Sequence, residues 1–434
     1  MTAQSSATRM PEIRVPAAPT FIGLALGLGL GRLLRGTRAG EAVLSVAGPL
    51  GKLWLQGLTM TILPLVAALL FTGIVETVAA ARAGAMARRT LGFIVGILAA
   101  SAALGTLLTP LLLKLWPVPA NAAAAMGAQS VDPGPIPTMA DFLGSLIPGN
   151  IVAAASNGAI LPVIVFFSLF AIASTRLADV QRRTLATFFE AVAGAMMVVI
   201  GWVLAVAPLG VFGLAFGVAE SSGGAAIAAL AHYIATLASV GGVVLIGAYV
   251  LAIFVGRRAP LAFIRAMLPA QAVALSTQSS LASLPAMLES CRRLGLREST
   301  GEFALPLAVA LFRSTGPAMN VGVAIYAAHL TGTQLSPLVL AAGGLTAFAT
   351  TFGAVSLPGA ISFVTSIGPI AIAMGVPVQP LALLVAVEML PDIMRTVGNV
   401  TMDVAITSAV DRLEGEAEGN ESHQSALSPD PASR

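Results

Sequence analysis

Near the end of the chain, residues 388–403 read EMLPDIMRTVGNVTMD, which sets Asp392, Arg395, Asn399 and Asp403 three or four residues apart. At that spacing all four lie on one face of a helix. The flanking sequence is apolar, so a polar stripe here implies a shared pocket. Each charge near the middle of a membrane helix costs about 2.5–3.5 kcal/mol on an insertion scale, and such residues usually mark solute or ion pathways. Arginine offers a planar fork of donors that grips a carboxylate bidentately and keeps its proton, which suits Arg395 to an anionic oxygen pair. Asp392 suits a cationic amino group, Thr396 and Asn399 can bond a second carboxylate, and Asp403, one turn on, suits a cation. Together they describe a small acidic solute that also carries an amino group. Glu388, one turn before Asp392, reads either as a proton carrier or as a partner for Arg395.

The elements that position this stripe must lie in a bilayer. Of 434 residues, 57% are hydrophobic and 10% charged, where soluble domains carry about 25% charged residues. Apolar runs long enough to cross a hydrocarbon core of about 30 Å recur along the chain. Eight crossings are expected, at about 20–36, 45–78, 90–116, 151–175, 184–218, 226–256, 302–330 and 379–410. Residues 1–19 lack the apolar core of a secretory signal and read as a cytoplasmic tail. The polar segment 414–434 reads as a disordered tail. Arginine clusters at 79–89, 176–183, 257–265 and 291–297 mark cytoplasmic loops, with Arg32, Arg35 and Arg38 as a discordant group. The slight positive charge therefore reports orientation in a lipid bilayer and points to no nucleic acid. A lone Cys291 excludes an intrachain disulfide. With no nucleophile–base pair, no metal-ligand cluster and no P-loop, the sequence points away from an enzyme and needs no organic cofactor.

Two apolar segments are interrupted where a spanning helix would least tolerate it. In 260–290 short arms flank Ser276, Thr277, Gln278, Ser279 and Ser280; in 336–375 they flank Ser356, Leu357, Pro358, Gly359 and Ala360. Non-helical backbone at membrane depth survives only when buried in protein or facing a cavity, so both turns are expected to line the site. A helix with internal charge follows each: Arg313 in the first, Glu388 to Asp403 in the second. Such paired broken segments point to a transporter site at the membrane midplane.

At this point the sequence resembles the dicarboxylate/amino acid:cation symporter family, the glutamate transporter homologues. The resemblance runs from Leu53-Trp54-Leu55-Gln56-Gly57-Leu58-Thr59-Met60-Thr61-Ile62-Leu63-Pro64 through Ile147-Pro148-Gly149-Asn150 and Ala207-Pro208-Leu209-Gly210 to the final helix. There Asp392-Ile-Met-Arg395-Thr396-Val-Gly-Asn399-Val400-Thr401-Met402-Asp403 is similar to the pattern D-x-x-R-T-x-x-N-V-x-G-D, with Met402 for the glycine. The resemblance implies an all-α membrane fold of eight transmembrane helices and two re-entrant hairpins with inverted repeats. It also implies a homotrimer working as an elevator in a bacterial inner membrane, the second hairpin being the gate. Helices one, two, four and five (20–88 and 142–222) would form the scaffold, and 89–141 with 223–413 the moving part. Ser279 and Ser280 would hold the main carboxylate, Asp392 the amino group, Arg395 the side-chain carboxylate, and Thr396 and Asn399 further oxygens. Leu357, Pro358 and Gly359 would close the site. Asn399 and Asp403 would help bind sodium.

The seventh helix departs from the family. Where an N-M-D-G-T motif is expected, an ungapped count gives Phe312, Arg313, Ser314, Thr315 and Gly316, and a second register gives Met319, Asn320 and Val321. Either way the sodium-binding carboxylate is missing, and in the third helix residues 92–99 lack the hydroxyl groups expected beside that ion. Arg313 is then expected to take the space of a lost sodium ion beside Asp403 or the unwound carbonyls, with Ser314 next to it. The coupling ion is left as H+ or Na+. The leading reading is a symporter for glutamate or aspartate; a C4-dicarboxylate carrier is the rival within the class, and an uncoupled channel or sensor the rival outside it.

Overall fold

The computed structural model describes residues 16–119, 139–222, 225–352 and 366–427, and every element among them is helical. The first group comprises α1 (Ala17–Leu33), α2 (Arg38–Thr59), α3 (Ile62–Ala81) and α4 (Ala85–Leu115). After α5 (Met139–Leu146) and α6 (Ile151–Ser156) come α7 (Ile160–Ser174), α8 (Asp179–Ala205), α9 (Ala207–Ser222) and α10 (Ala225–Val250), the last continued by a π-helical turn, Leu251–Val255. The remainder are α11 (Pro260–Thr277), α12 (Leu284–Arg293), α13 (Glu298–Leu311), α14 (Gly316–Thr331), α15 (Pro337–Thr351), α16 (Gly368–Ala373), α17 (Gln379–Val387) and α18 (Met389–Leu427). Several starts are capped as their sequences allow: Asn150 accepts from the Val152 and Ala153 amides at 2.9 and 3.1 Å, and Thr37 from Gly40 at 3.0 Å. Such side chains satisfy amides that a helix leaves without an internal partner.

Four stretches among the described residues are long and apolar enough to cross a membrane: Arg38–Ala81, Ala85–Leu115, Asp179–Ala205 and Ile227–Val255. Several crossings expected to be continuous are divided. The run 45–78 breaks at Met60 and Thr61, 184–218 at Val206, 302–330 at Phe312–Thr315, and 379–410 at Glu388. At each break a proline follows, Pro64, Pro208, Pro317 or Pro391, and its missing N–H leaves the carbonyl four residues earlier without a helical donor. At the other end α18 continues to Leu427, past the expected start of a disordered tail at 414. Ion pairs hold that extension: Glu414 with Arg89 at 2.7 Å and Glu416 with Arg412 at 2.8 Å.

Two neighbourhoods organise the packing. In one, α1 and α2 lie against α9, and α3 lies against α7 and α8. Gly23, Gly27 and Gly31 face the Pro208, Phe212 and Phe216 carbonyls so closely that an added Cβ would sit 2.4–2.7 Å from each oxygen. Small residues at this spacing let membrane helices approach backbone to backbone. In the other, α18 packs on α10, α11, α12 and α13, while α4 packs on α14 and α15. Helices α11 and α12 fold back on each other around Gln278: Ser290 donates to the Ala266 carbonyl at 2.8 Å, and the two residues lie equally far either side of the turn. At the end of α18, Asp411 binds the guanidinium groups of Arg258 and Arg297, each at 3.0 Å.

The contact of α4 with the break before α14 positions the site. A Cβ on Gly105 would lie 2.4 Å from the Ala318 carbonyl oxygen. Gly105→Val is therefore expected to push the helices apart, at the roughly 1–3 kcal/mol typical of overpacking. The check is thermal unfolding in detergent; an unchanged midpoint would contradict the tight contact.

Candidate functional site

The site forms where α18 begins and where the backbone between α13 and α14 leaves the helix. Pro391 cannot donate to Val387; Glu388 stands at the junction of α17 and α18 in helical backbone, its carbonyl accepting from the Asp392 amide at 3.0 Å, and its side chain lies beside the first turns of α18. There Arg395 donates from Nη1 to Asp392 Oδ1 at 2.8 Å, and from Nη2 to Glu388 Oε1 at 2.7 Å and Asn320 Oδ1 at 3.1 Å. Tyr233 of α10 donates to the second Glu388 oxygen at 2.6 Å. Glu388, Asp392, Arg395 and Thr396 are all buried, and Arg395 Nε is buried with no hydrogen-bond partner among the described residues. Both readings of Glu388 left open by the sequence start from this pair with Arg395.

One to two turns further along α18, Asn399 meets the unwound segment. Its Oδ1 accepts from Ser314 Oγ at 3.1 Å and from the Thr315 amide and hydroxyl at 2.9 Å each. Gly398 permits the approach, since a Cβ there would lie 2.5 Å from Thr315 Cγ2. The break at Phe312–Thr315 coincides with the first of the two registers, whereas Met319, Asn320 and Val321 lie inside α14. Arg313 Nη1 donates to the Val309 and Phe312 carbonyls at 3.0 and 2.8 Å, at the C-terminal end of α13. Carbonyls at a helix C-terminus carry partial negative charge and favour a cation. Asp403 is fully buried, neither of its oxygens has a hydrogen-bond partner among the described residues, and its charge and that of Arg313 act on each other.

Among the described residues no cluster of three or more His, Cys, Asp or Glu could hold a metal ion. As sodium ligands, Asp403 has two open oxygens, but the Asn399 oxygen is already taken by three donors.

Ser101 is a further participant. It donates to the Ser314 carbonyl at 2.5 Å and accepts from the Ala318 amide at 3.2 Å, pinning the break to α4. It lies just beyond the hydroxyl-free stretch 92–99. Tyr233 carries no sequence signal, and Asn320 stood out only in the second register for the sodium motif and not as a partner of Arg395, because only the fold brings α10 and α14 to Glu388 and Arg395.

The first turn is placed less closely. Ser280 is buried and Ser279 half-buried; Ser279 Oγ accepts from the Ala282 amide at 3.2 Å, and its carbonyl accepts from Ser283 Oγ at 2.9 Å. Gln278, in the left-handed region at φ 51°, reaches the Met389 carbonyl at 3.5 Å and so ties the turn to the start of α18. Among the described residues no hydrogen bond joins Ser279 or Ser280 to Asp392, Arg395, Thr396 or Asn399. Leu357, Pro358 and Gly359 fall outside the described residues.

A buried cluster of charged side chains enclosed by long apolar helices is the arrangement of a multi-pass membrane carrier of small solutes. A model of the sodium:dicarboxylate symporter family matches residues 17–413, and the chain belongs to that family. Relatives include the proton/sodium-glutamate symport protein of Bacillus subtilis (strain 168), 27% identical over 415 residues and 92% of each chain. The proton/glutamate-aspartate symporter of Escherichia coli (strain K12) is 27% identical over 372 residues, 82% of this chain and 83% of its own. The C4-dicarboxylate transport protein of Rhizobium etli is 27% identical over 387 residues, 85% of this chain and 83% of its own.

Proposed function

We propose that this chain is a secondary symporter that moves an acidic amino acid, glutamate or aspartate, across the bacterial inner membrane together with H+, Na+ or both. The observation that carries the reading is the buried Asp392–Arg395 pair. A carrier for a plain C4-dicarboxylate would have Asp392 facing an anion with nothing cationic to offer it. An acidic amino acid gives Asp392 an ammonium group and Arg395 a carboxylate, so each buried charge keeps an opposite partner when the solute is bound. Ser279 and Ser280 would meet the main carboxylate; Thr396 and Asn399 would meet the remaining oxygens, and Leu357, Pro358 and Gly359 would cover them.

Titration calorimetry on the purified protein tests the substrate class. Aspartate or glutamate should bind and compete with each other, with succinate much weaker; a preference for succinate would overturn the amino-acid reading in favour of the dicarboxylate one.

The packing supports an elevator arrangement, in which α1–α3 and α7–α9 form a fixed scaffold at a trimer axis and α4 with α10–α18 carries the site. The fold-back of α11 and α12 would be the first re-entrant hairpin. Within the moving part, Arg313 sits where helix-end carbonyls and the Asp403 carboxylate would otherwise attract a cation. We read it as a fixed replacement for one sodium ion. Arg313→Met should then cut sodium-independent uptake by about tenfold or more and make uptake depend on sodium, since one charged hydrogen bond is worth about 1.5–3 kcal/mol. Strict sodium dependence of the unmodified protein would contradict this role.

A further inference from the structure

Three acceptors hold Arg395, and one of them also carries donors. Asp392 takes Nη1 at 2.8 Å, while Glu388 and Asn320 take Nη2 at 2.7 and 3.1 Å. Asn320 lies on the second turn of α14 and is 5% exposed. Its amide fits only one way round. A guanidinium donates and never accepts, so the Asn320 oxygen must face Arg395 and the nitrogen must point elsewhere. That nitrogen has no hydrogen-bond partner among the described residues. Unlike Arg395 Nε it is not enclosed, so it borders open space beside the guanidinium.

Two more atoms stand open in the same way. Asp392 bonds through Oδ1 and Asn399 through its own oxygen, which leaves Asp392 Oδ2 and Asn399 Nδ2 without partners among the described residues, and neither is enclosed. One open acceptor and two open donors therefore flank Arg395, from α14 and α18. An acidic amino acid carries the complement, an ammonium group and carboxylate oxygens. The two donors are not equivalent. Asn399 meets Ser314 and Thr315 one turn further along α18 and makes no bond to the Arg395 guanidinium among the described residues, whereas Asn320 is bonded to the guanidinium itself.

We propose that Asn320 is a specificity-determining residue that touches the solute: its amide nitrogen donates to the solute's side-chain carboxylate while its oxygen holds Arg395. The carboxylate then meets charged donors from Arg395 and a neutral one from α14. A carboxylate offers about four acceptor sites, and Arg395 spends part of its fork on Asp392, Glu388 and Asn320, so the amide fills a site that the guanidinium leaves open. A solute with an aliphatic side chain would leave both the amide and the guanidinium unpaired, and a pocket built to hydrogen-bond rejects an analogue that lacks the matching group. A strut that only positions Arg395 needs the Asn320 oxygen alone. The nitrogen separates the two roles.

This inference rests on Arg395 as the carboxylate-binding group of the proposed symporter. It is tested by calorimetric binding of aspartate, glutamate, asparagine and succinate to the purified full chain and two variants, each compared with the unmodified protein at equal pH, since Arg395, Glu388 and Asp392 are common to all. Asn320→Asp keeps the shape and the acceptor for Arg395 but, when ionised, has no donor. Its affinity for aspartate should fall about tenfold to a hundredfold at alkaline pH, the loss of one hydrogen bond to a charged group. It should recover toward acid pH, where a protonated carboxyl regains an O–H donor. Asparagine should gain on aspartate in this variant, because its side-chain amide brings donors to the new carboxylate. Asn320→Gln keeps both groups on a longer arm and should shift preference from glutamate toward the shorter aspartate. Undiminished aspartate binding by Asn320→Asp at alkaline pH, with no gain for asparagine, would overturn the proposal and leave Asn320 as a strut. So would an unchanged aspartate-to-glutamate ratio in Asn320→Gln, which decides the matter even where Asn320→Asp does not fold. If the unmodified protein binds succinate but no amino acid, the amino-acid reading fails while the Asn320→Asp comparison, made with succinate, still decides the role of Asn320; if it binds none of them, both fall.

Discussion

Arg395→Met should reduce uptake of acidic amino acids at least a hundredfold. Among the described residues the guanidinium is the one buried cation at the first turns of α18, and three acceptors converge on it. Hydrogen bonds to a charged group are worth about 1.5–3 kcal/mol each, and about 1.4 kcal/mol is a factor of ten. Losing two such bonds to a solute carboxylate gives the expected fall. The single variant should also be less stable, because Glu388 and Asp392 would remain buried without their partner; breaking a buried pair typically costs about 3–5 kcal/mol. The double variant Arg395→Met, Glu388→Gln separates the two effects. It should recover most of the unfolding midpoint and none of the uptake. Arg395→Lys should bind weakly, since a point charge cannot offer two parallel donors. Near-normal uptake by Arg395→Met would remove the guanidinium from the substrate role.

Asp392→Asn should change which solute is preferred. Asparagine is close to isosteric and can still accept from Arg395 Nη1, so the guanidinium keeps its place, but the charge that meets the ammonium group is gone. Affinity for aspartate and glutamate should fall about a hundredfold, from the loss of one or two charge-assisted bonds. Succinate, which has no ammonium group, should lose nothing and compete better than before. Competition against labelled aspartate reads both effects in one experiment. An equal loss for aspartate and succinate would mean that Asp392 acts only by holding Arg395.

The part of the site carried by one helix was legible in the sequence. Three- and four-residue spacing inside an apolar run places Asp392, Arg395, Thr396, Asn399 and Asp403 together wherever the helix goes, and the ungapped count located the break at Phe312–Thr315. Contacts across helices had no such signal. Tyr233 is 155 residues from Glu388, and Asn320 is 75 from Arg395. Ser101 is one of several hydroxyls on α4, with Thr90, Thr106 and Thr109, and only the close packing at Gly105 shows why it is the one that meets the Ser314 carbonyl. Helix breaks were legible only in part. Pro64, Pro208, Pro317 and Pro391 each follow an interruption, yet Pro49, Pro110, Pro269 and Pro306 lie inside continuous helices. A proline removes one donor in every case; whether the helix then parts depends on neighbouring helices that a single sequence does not show. The helical extension to Leu427 was hidden for a similar reason, since Glu414 is anchored by Arg89 from α4, 325 residues away.

Coupled uptake is the most direct test of the central claim. Labelled aspartate uptake into liposomes holding the purified chain should be followed with a proton gradient and a sodium gradient imposed separately. Accumulation driven by protons alone, reduced at least a hundredfold in Arg395→Met, is the expected result. Accumulation that requires sodium and ignores the proton gradient would contradict Arg313 as a replacement for sodium. No accumulation under either gradient would contradict symport of acidic amino acids itself.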